Sequence, residues 1–131
     1  MRRLLLVFWL TALIGLGLGA NPALARGQHG TPPSAGSPGW VDPIDLPEEA
    51  RATLRLIEQR GPFPYPRDGI VFGNYENLLP AQPRGYYREY TVPTPGIRHR
   101  GARRIVHGGE AHSGDYYYSA DHYRSFRRIR P

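Results

Sequence analysis

Apolar and polar positions alternate most clearly over residues 87–92. Tyr87, Glu89 and Thr91 fall on one side of an extended chain, and Arg88, Tyr90 and Val92 on the other. The spacing predicts a strand, ended by Pro93, Pro95 and Gly96. Residues 103–107 read as a second strand, with Arg104 and Ile105 on opposite faces. Paired as a hairpin, the two would let Glu89 and Arg104 share a surface. Upstream the period becomes helical: Ala50, Leu54 and Ile57 line one stripe of residues 47–60, which open on Pro47 and two acids and close at Gly61. An amphipathic helix packed on a sheet accounts for that segment. A short apolar run over 70–72 breaks at Gly73-Asn74, a pair that tolerates positive φ and exposes consecutive backbone N–H groups in a tight turn. Residues 115–118 and 125–129 predict two more strands, the last strongly basic, joined by a loop carrying Asp121, His122 and Tyr123. One helix followed by several closely connected strands predicts an α+β fold, an N-terminal helix packed on a twisted antiparallel β-sheet.

Composition narrows the partners. The chain has 131 residues, no cysteine and a formal net charge of +6, which suits one small domain. All 17 basic residues are arginine. Arginine is planar, bidentate toward phosphate and permanently charged, so the excess points to an anionic partner; a compositional bias against lysine accounts for it equally well. Residues 1–25 read as a secretory signal: Arg2 and Arg3, a largely apolar run over 4–19, then Ala23-Leu24-Ala25 as the cleavage site. Gly15, Gly17 and Gly19 make that run a poor membrane span. Cleavage after Ala25 is expected, giving a secreted, extracellular protein with no membrane contact. Residues 26–40, rich in Gly, Pro and Ser, read as a disordered leader, and 41–131 as the folded domain, expected to be a monomer. Without cysteine it must be held together by its core alone.

Two groups of residues carry candidate chemistry. Glu76, a carboxylate beside the free amides of the Gly73-Asn74 turn and flanked by Phe72 and Tyr75, has what a purine pocket needs: donors for O6, an acceptor for N1–H and N2–H, and a ring to stack on. Such a turn is usually only a turn. Glu89, His122 and the arginines at 98, 100, 103 and 104 are sufficient parts for cleaving RNA by transesterification, with a base for the ribose 2′-OH, an acid for the departing 5′-oxygen and cations for the phosphate. The nucleophile lies within the substrate, so this chemistry calls for no metal or cofactor, and DNA, lacking the hydroxyl, should resist. Each residue also has a plainer explanation. Glu89 fits one half of a surface ion pair with Arg88 or Arg104, on spacing alone the better account, and His122 fits a loop histidine with a satisfied hydrogen bond. His29, His99, His107 and His112 lack the spacing of a metal site. A glycosidase pair of Glu76 and Glu89 is disfavoured by the surrounding arginines. A non-catalytic, secreted, Arg-rich polyanion-binding module would explain the arginines and aromatics without using Glu89.

Three segments change this balance. GPFPYPRDGIVFGNYENLLP, GYYREYTVPTPGIRHRGARRIV and ADHYRSFRRIR resemble, in order and spacing, the secreted guanyl-specific ribonucleases of bacteria, the family that includes barnase, from about residue 46 to the C-terminus. The resemblance implies Glu89 as general base, His122 as general acid, Arg100 and Arg104 as phosphate ligands, and Tyr123 as a further phosphate contact. It implies a guanine-binding loop of Phe72, Asn74 and Glu76, with Tyr75 within it. The implied activity is cleavage of single-stranded RNA 3′ of guanosine to a 2′,3′-cyclic phosphate, later hydrolysed to the 3′-phosphate. The implied partners are RNA and an acidic, barstar-like intracellular protein inhibitor. Arg98 and Arg103 are left with a solvated role. The chain departs from the family in having Tyr75 where an arginine is frequent, Gly73 where a polar residue is frequent, and no disulfide joining its ends, so lower stability is expected. An extra residue or two within 108–120 is expected to shift the loop before His122.

Overall fold

The structure, a computed structural model, describes residues 37–112 and 114–131. The expected signal sequence, and the leader as far as residue 36, lie outside the described residues. Strand β1 (Gly39–Val41) and a 3-10 turn (Pro43–Asp45) lead into helix α1 (Glu48–Gln59). Then come β2 (Ile70–Val71), β3 (Tyr87–Thr91), β4 (Arg104–Gly108), β5 (Asp115–Ser119) and β6 (Arg127–Ile129). The strands form one six-stranded sheet in the order β1-β6-β5-β4-β3-β2. The α+β architecture of a helix on a sheet is as expected, but the sheet is mixed. β2 to β6 pair antiparallel, whereas β1 runs parallel to β6, Gly39 and Trp40 lying opposite Arg127 and Arg128. Those two residues were assigned to the leader. They join the sheet because β6 supplies partners that a local reading of 26–40 does not contain: the guanidinium carbons of Arg128 and Arg130 lie 4.7 and 5.7 Å from the Trp40 ring centroid, and Arg130 N donates to Val41 O at 3.0 Å.

Helix α1 begins after Pro47, with Glu48 and Glu49 in the first turn, where aligned peptide dipoles favour negative charge. It closes on Arg60 rather than on the following glycine. Arg60 adopts the left-handed conformation at φ 61°, and the Arg60 and Gly61 N–H groups donate to Ile57 O and Leu56 O at 3.1 and 2.8 Å. Ala50, Thr53 and Ile57 are buried, with Leu54 partly so, and they cover Tyr90, Val92, Ile105, Tyr118 and Ile129 on the near face of the sheet. Burying each isoleucine or valine side chain contributes about 1.5–3 kcal/mol.

The far face carries a second apolar cluster of Leu79, Tyr87, Val106, Tyr117 and Phe126, with Phe72, Leu78, Tyr86 and Tyr123 against it. Residues opposite one another on a ladder share a face. The register sets Glu89 opposite Val106, Thr91 opposite Arg104, and Arg104 opposite Ser119. Glu89, Thr91, Arg104 and Ser119 therefore stand together on this far face. Between β4 and β5 the chain turns at the Gly108–Asp115 end of that hairpin, whereas His122 follows the Arg104–Ser119 end. The extra length expected to displace the loop before His122 thus has room at the opposite end of the strands.

Candidate active site

Glu89 is 7% exposed and Arg104 only 3%, so neither belongs to a surface network. The ion pair expected of Glu89 with Arg88 or Arg104 is not the one formed. Arg88 points to the other face and donates to Gly69 O at 2.8 Å. Arg104 is committed to backbone, its Nη1 donating to Gly101 O and Arg103 O, both at 2.8 Å, and its Nε to the Tyr123 hydroxyl at 3.1 Å. The partner of Glu89 is Arg100, with Nη2 3.6 Å from Oε1. Arg100 is aimed by its Nε, which donates to Thr91 Oγ1 at 2.9 Å. Its Nη2 is buried and, at that distance from Glu89, makes no hydrogen bond among the described residues, so its donor capacity is left unused.

Tyr123 ties the two sheet residues to the C-terminal loop. Its hydroxyl donates to Glu89 Oε2 at 2.7 Å while accepting from Arg104. Burial first, and the bond to Glu89 second, push the Tyr123 phenol far above its ordinary range, so it stays a donor. His122 and Tyr123 both adopt the left-handed conformation, at φ 57° and 68°, an uncommon pair for residues other than glycine. Several bonds hold it: His122 N donates to Ala102 O at 3.1 Å and Tyr123 N to Ser119 Oγ at 2.9 Å. Asp121 is the anchor below, accepting from Ser119 Oγ and Ser125 N through Oδ1 at 3.0 and 2.9 Å, and from Ser125 Oγ through Oδ2 at 2.6 Å.

The second group meets the first at Tyr123, whose ring lies 5.1 Å from Phe72 and 5.1 Å from His122. A cavity of about 210 Å³ is lined by Phe72, Asn74, Tyr75, Glu76 and Leu78 from one side and His122, Tyr123 and Arg124 from the other. That is small for a whole drug-sized ligand and suits a single base. Asn74 takes the positive φ, 48°; Gly73 does not. The Asn74 side chain is already satisfied, donating to Leu79 O at 2.9 Å and accepting from Leu79 N at 3.1 Å, so its contribution to a ligand is its backbone. Gly73 is small for a different reason: a Cβ there would lie 2.3 Å from Tyr75 Cε2.

A ribonuclease family model matches residues 28–130. The chain belongs to the ribonuclease family. Over 84 residues, 64% of this chain, it is 58% identical to the guanyl-specific ribonuclease Sa3 of Kitasatospora aureofaciens, the match spanning 58% of that protein's length. Over 83 residues, 63% of this chain, it is 57% identical to the guanyl-specific ribonuclease St of Saccharopolyspora erythraea, covering 79% of that protein. Among solved structures it is similar to ribonuclease Sa2 in complexes with mononucleotides, with a TM-score of 0.69 at 48% identity over 72% of this chain and 96% of that one. It is similar also to ribonuclease Sa2 with guanosine-2′-cyclophosphate, with a TM-score of 0.66 at 49% identity over 71% and 97%.

The residues that the family resemblance put forward lie in one connected region, Glu89, Arg100, Arg104 and Tyr123 on its sheet side and Phe72, Asn74, Tyr75, Glu76 and His122 around the cavity. Arg103 stands apart, 3.6 Å from Glu49 of α1, and Arg98 is exposed. Thr91, Ser119, Asp121 and Arg124 had been given no role; the Asp-x-x-x-Ser spacing of Asp121 and Ser125 was the one local signal available. A larger cavity of about 580 Å³ opens between α1 and the β1–β6 edge, beside Trp40, Leu54, Arg55 and Tyr116. It contains none of the residues above, and its cations are engaged: Arg51 with Glu48, Arg128 with Asp115 and Arg130 with Asp42. Among the described residues no three His, Asp or Glu side chains are grouped to hold a metal ion, and no helix is long and apolar enough to cross a membrane.

Proposed function

We propose that this guanyl-specific ribonuclease cleaves single-stranded RNA 3′ of guanosine with Glu89 as base and His122 as acid. Glu89 takes the proton from the ribose 2′-OH as the 2′-oxygen bonds to phosphorus. The bond from phosphorus to the 5′-oxygen breaks, and His122 protonates the departing oxygen. Arg100 and Arg104, with the Tyr123 hydroxyl, hold the phosphate and offset the charge that develops on it. In the second step His122 removes a proton from water and Glu89 returns one to the 2′-oxygen, leaving the 3′-phosphate. Guanine is read in the neighbouring cavity by the backbone of Asn74 and by the Glu76 carboxylate, with Phe72 and Tyr75 against the ring.

The observation that carries this reading is the placement of a buried carboxylate, Glu89, 3.6 Å from the buried Nη2 of Arg100, which makes no hydrogen bond among the described residues. A mere polyanion-binding surface has no use for a carboxylate there. Secretion rests on residues 1–25, with the leader ending before β1 (Gly39–Val41) and the domain acting as a monomer. An acidic protein covering Arg100 and Arg104 inside the producing cell is the second partner this reading carries, and its absence from that cytosol would remove it. The mature protein should cleave GpU in EDTA faster than ApU or UpU, and Glu89→Gln should lower kcat on GpU about 10²- to 10⁴-fold. Activity abolished by EDTA, or undiminished in the variant, would sink the mechanism.

A further inference from the structure

Tyr75 is 81% exposed, yet it forms part of the wall of the base cavity. An exposed tyrosine on a turn has no packing to keep its ring in one place, and a wall that wanders recognises nothing. Two neighbours restrict it. Beneath the ring lies Gly73: a Cβ built there would fall 2.3, 2.5 and 2.9 Å from Tyr75 Cε2, Cζ and Cδ2, so the ring occupies space that any larger residue would take. At the phenol end Arg84 Nη1 donates to the Tyr75 hydroxyl at 3.2 Å. Arg84 is exposed and, among the described residues, makes no ion pair and no other side-chain hydrogen bond. The loop carrying Tyr75 is otherwise pinned by the paired Asn74–Leu79 bonds, so the ring is the part of the cavity left to be positioned.

We infer that Arg84 is a positioning residue for base recognition, acting through Tyr75, which it holds across Gly73 as the outer wall of the cavity. The three residues form one unit. Gly73 gives the ring its seat, Tyr75 presents a π face to the base, and Arg84 fixes the ring by its oxygen. The inference rests on the assignment of this cavity to guanine.

The test is a set of variants read by steady-state cleavage of GpU and by calorimetric titration with guanosine 3′-monophosphate. A single exposed hydrogen bond of this kind is worth about a 3-fold effect. Arg84→Ala and Tyr75→Phe should each raise KM and the 3′-monophosphate Kd about 3-fold with kcat within a factor of two. The double variant should be no worse than either single one, and Arg84→Lys should recover most of the loss. Gly73→Ala, which drives the ring from its seat, should raise KM in the same way without Arg84 being touched. Single effects that multiply in the double variant, or an Arg84→Ala protein with unchanged KM and Kd, would overturn the inference while leaving the guanine assignment standing. Equal kcat/KM on GpU and ApU in the unsubstituted protein would overturn both.

Discussion

Tyr123 hands its phenolic hydrogen to Glu89 Oε2 across 2.7 Å, joining residues 34 positions apart in the chain. The proposed base therefore carries a hydrogen bond before any substrate arrives. In the proposed mechanism an entering phosphate offers that hydrogen a second acceptor, and its transfer would leave the Glu89 oxygen ready for the 2′-OH. Arg104 donates to the same hydroxyl, so on the proposed reading the phosphate would meet both groups together.

Tyr123→Phe keeps the ring beside Phe72 and Phe126 and removes only the oxygen. Glu89 then lacks a donor in a buried position, and Arg104 Nε lacks an acceptor. The expected cost is about 1–3 kcal/mol of stability by urea unfolding, together with a fall in kcat. An unfolding midpoint and slope equal to those of the unsubstituted protein would show that the bond does not hold Glu89 in solution.

For His122 the discriminating measurement uses two leaving groups. His122→Ala should lower kcat/KM on GpU about 10²- to 10⁴-fold but lower it far less on a guanosine 3′-(p-nitrophenyl phosphate), whose leaving oxygen needs no proton. Equal losses on the two substrates would take the acid role from His122.

The strand alternation was legible because it is local. Period 2 alone placed Glu89 and Thr91 on one face and Arg104 opposite Ile105, and the hairpin register joined them. Arg100 was not legible in the same way. It sits in an aperiodic stretch shaped by long-range bonds such as Thr91 Oγ1 to Arg100 Nε and Ala102 O to His122 N, so its pairing with Glu89 could not be told from that of Arg88 or Arg104. Gly73 was read as a turn residue from its dipeptide, whereas the space it frees is for a ring two residues on. The parallel β1–β6 pair joins segments nearly ninety positions apart through three-residue strands, too short to carry a pattern. No periodicity marks His122 or the base-reading loop; residue type and turn chemistry raised them as candidates beside plainer explanations, and only the family resemblance favoured their roles.

His107 makes stability depend on mild acid. It is 6% exposed, stacked on Tyr116 with ring centroids 4.4 Å apart, with Nε2 3.2 Å from Glu110 O. Burial lowers its pKa below the ordinary 6.5, against the opposing pull of the Glu110 carbonyl and of the Asp115 and Glu110 charges. The folded protein thus holds His107 neutral where the unfolded chain would protonate it, so stability falls as pH drops through about 6.5 and levels off below the lowered folded value. His107→Gln should shrink the stability difference between pH 8 and pH 5 measured by urea unfolding. A difference as large as before would place the dependence elsewhere.

Asp121 works at lower pH and through the loop that carries the acid. Its carboxylate is held below the ordinary aspartate value of 3.8, chiefly by the Ser125 hydroxyl and further by the Ser125 N–H and the Ser119 hydroxyl. A lowered folded value means that the unfolded chain binds the proton first as pH falls. The contribution is therefore fully present above about pH 4 and is lost as pH drops through the lowered value. Asp121→Asn should be less stable than the unsubstituted protein at pH 7, with the gap closing toward pH 2. It should also lose activity at pH 7, because Ser119 Oγ, released from Asp121, no longer fixes the Tyr123 N–H that sustains the left-handed pair. A stability gap that stayed constant from pH 7 to pH 2 would mean that Asp121 acts through shape alone. Full activity in a destabilised variant would mean that the anchor does not reach His122.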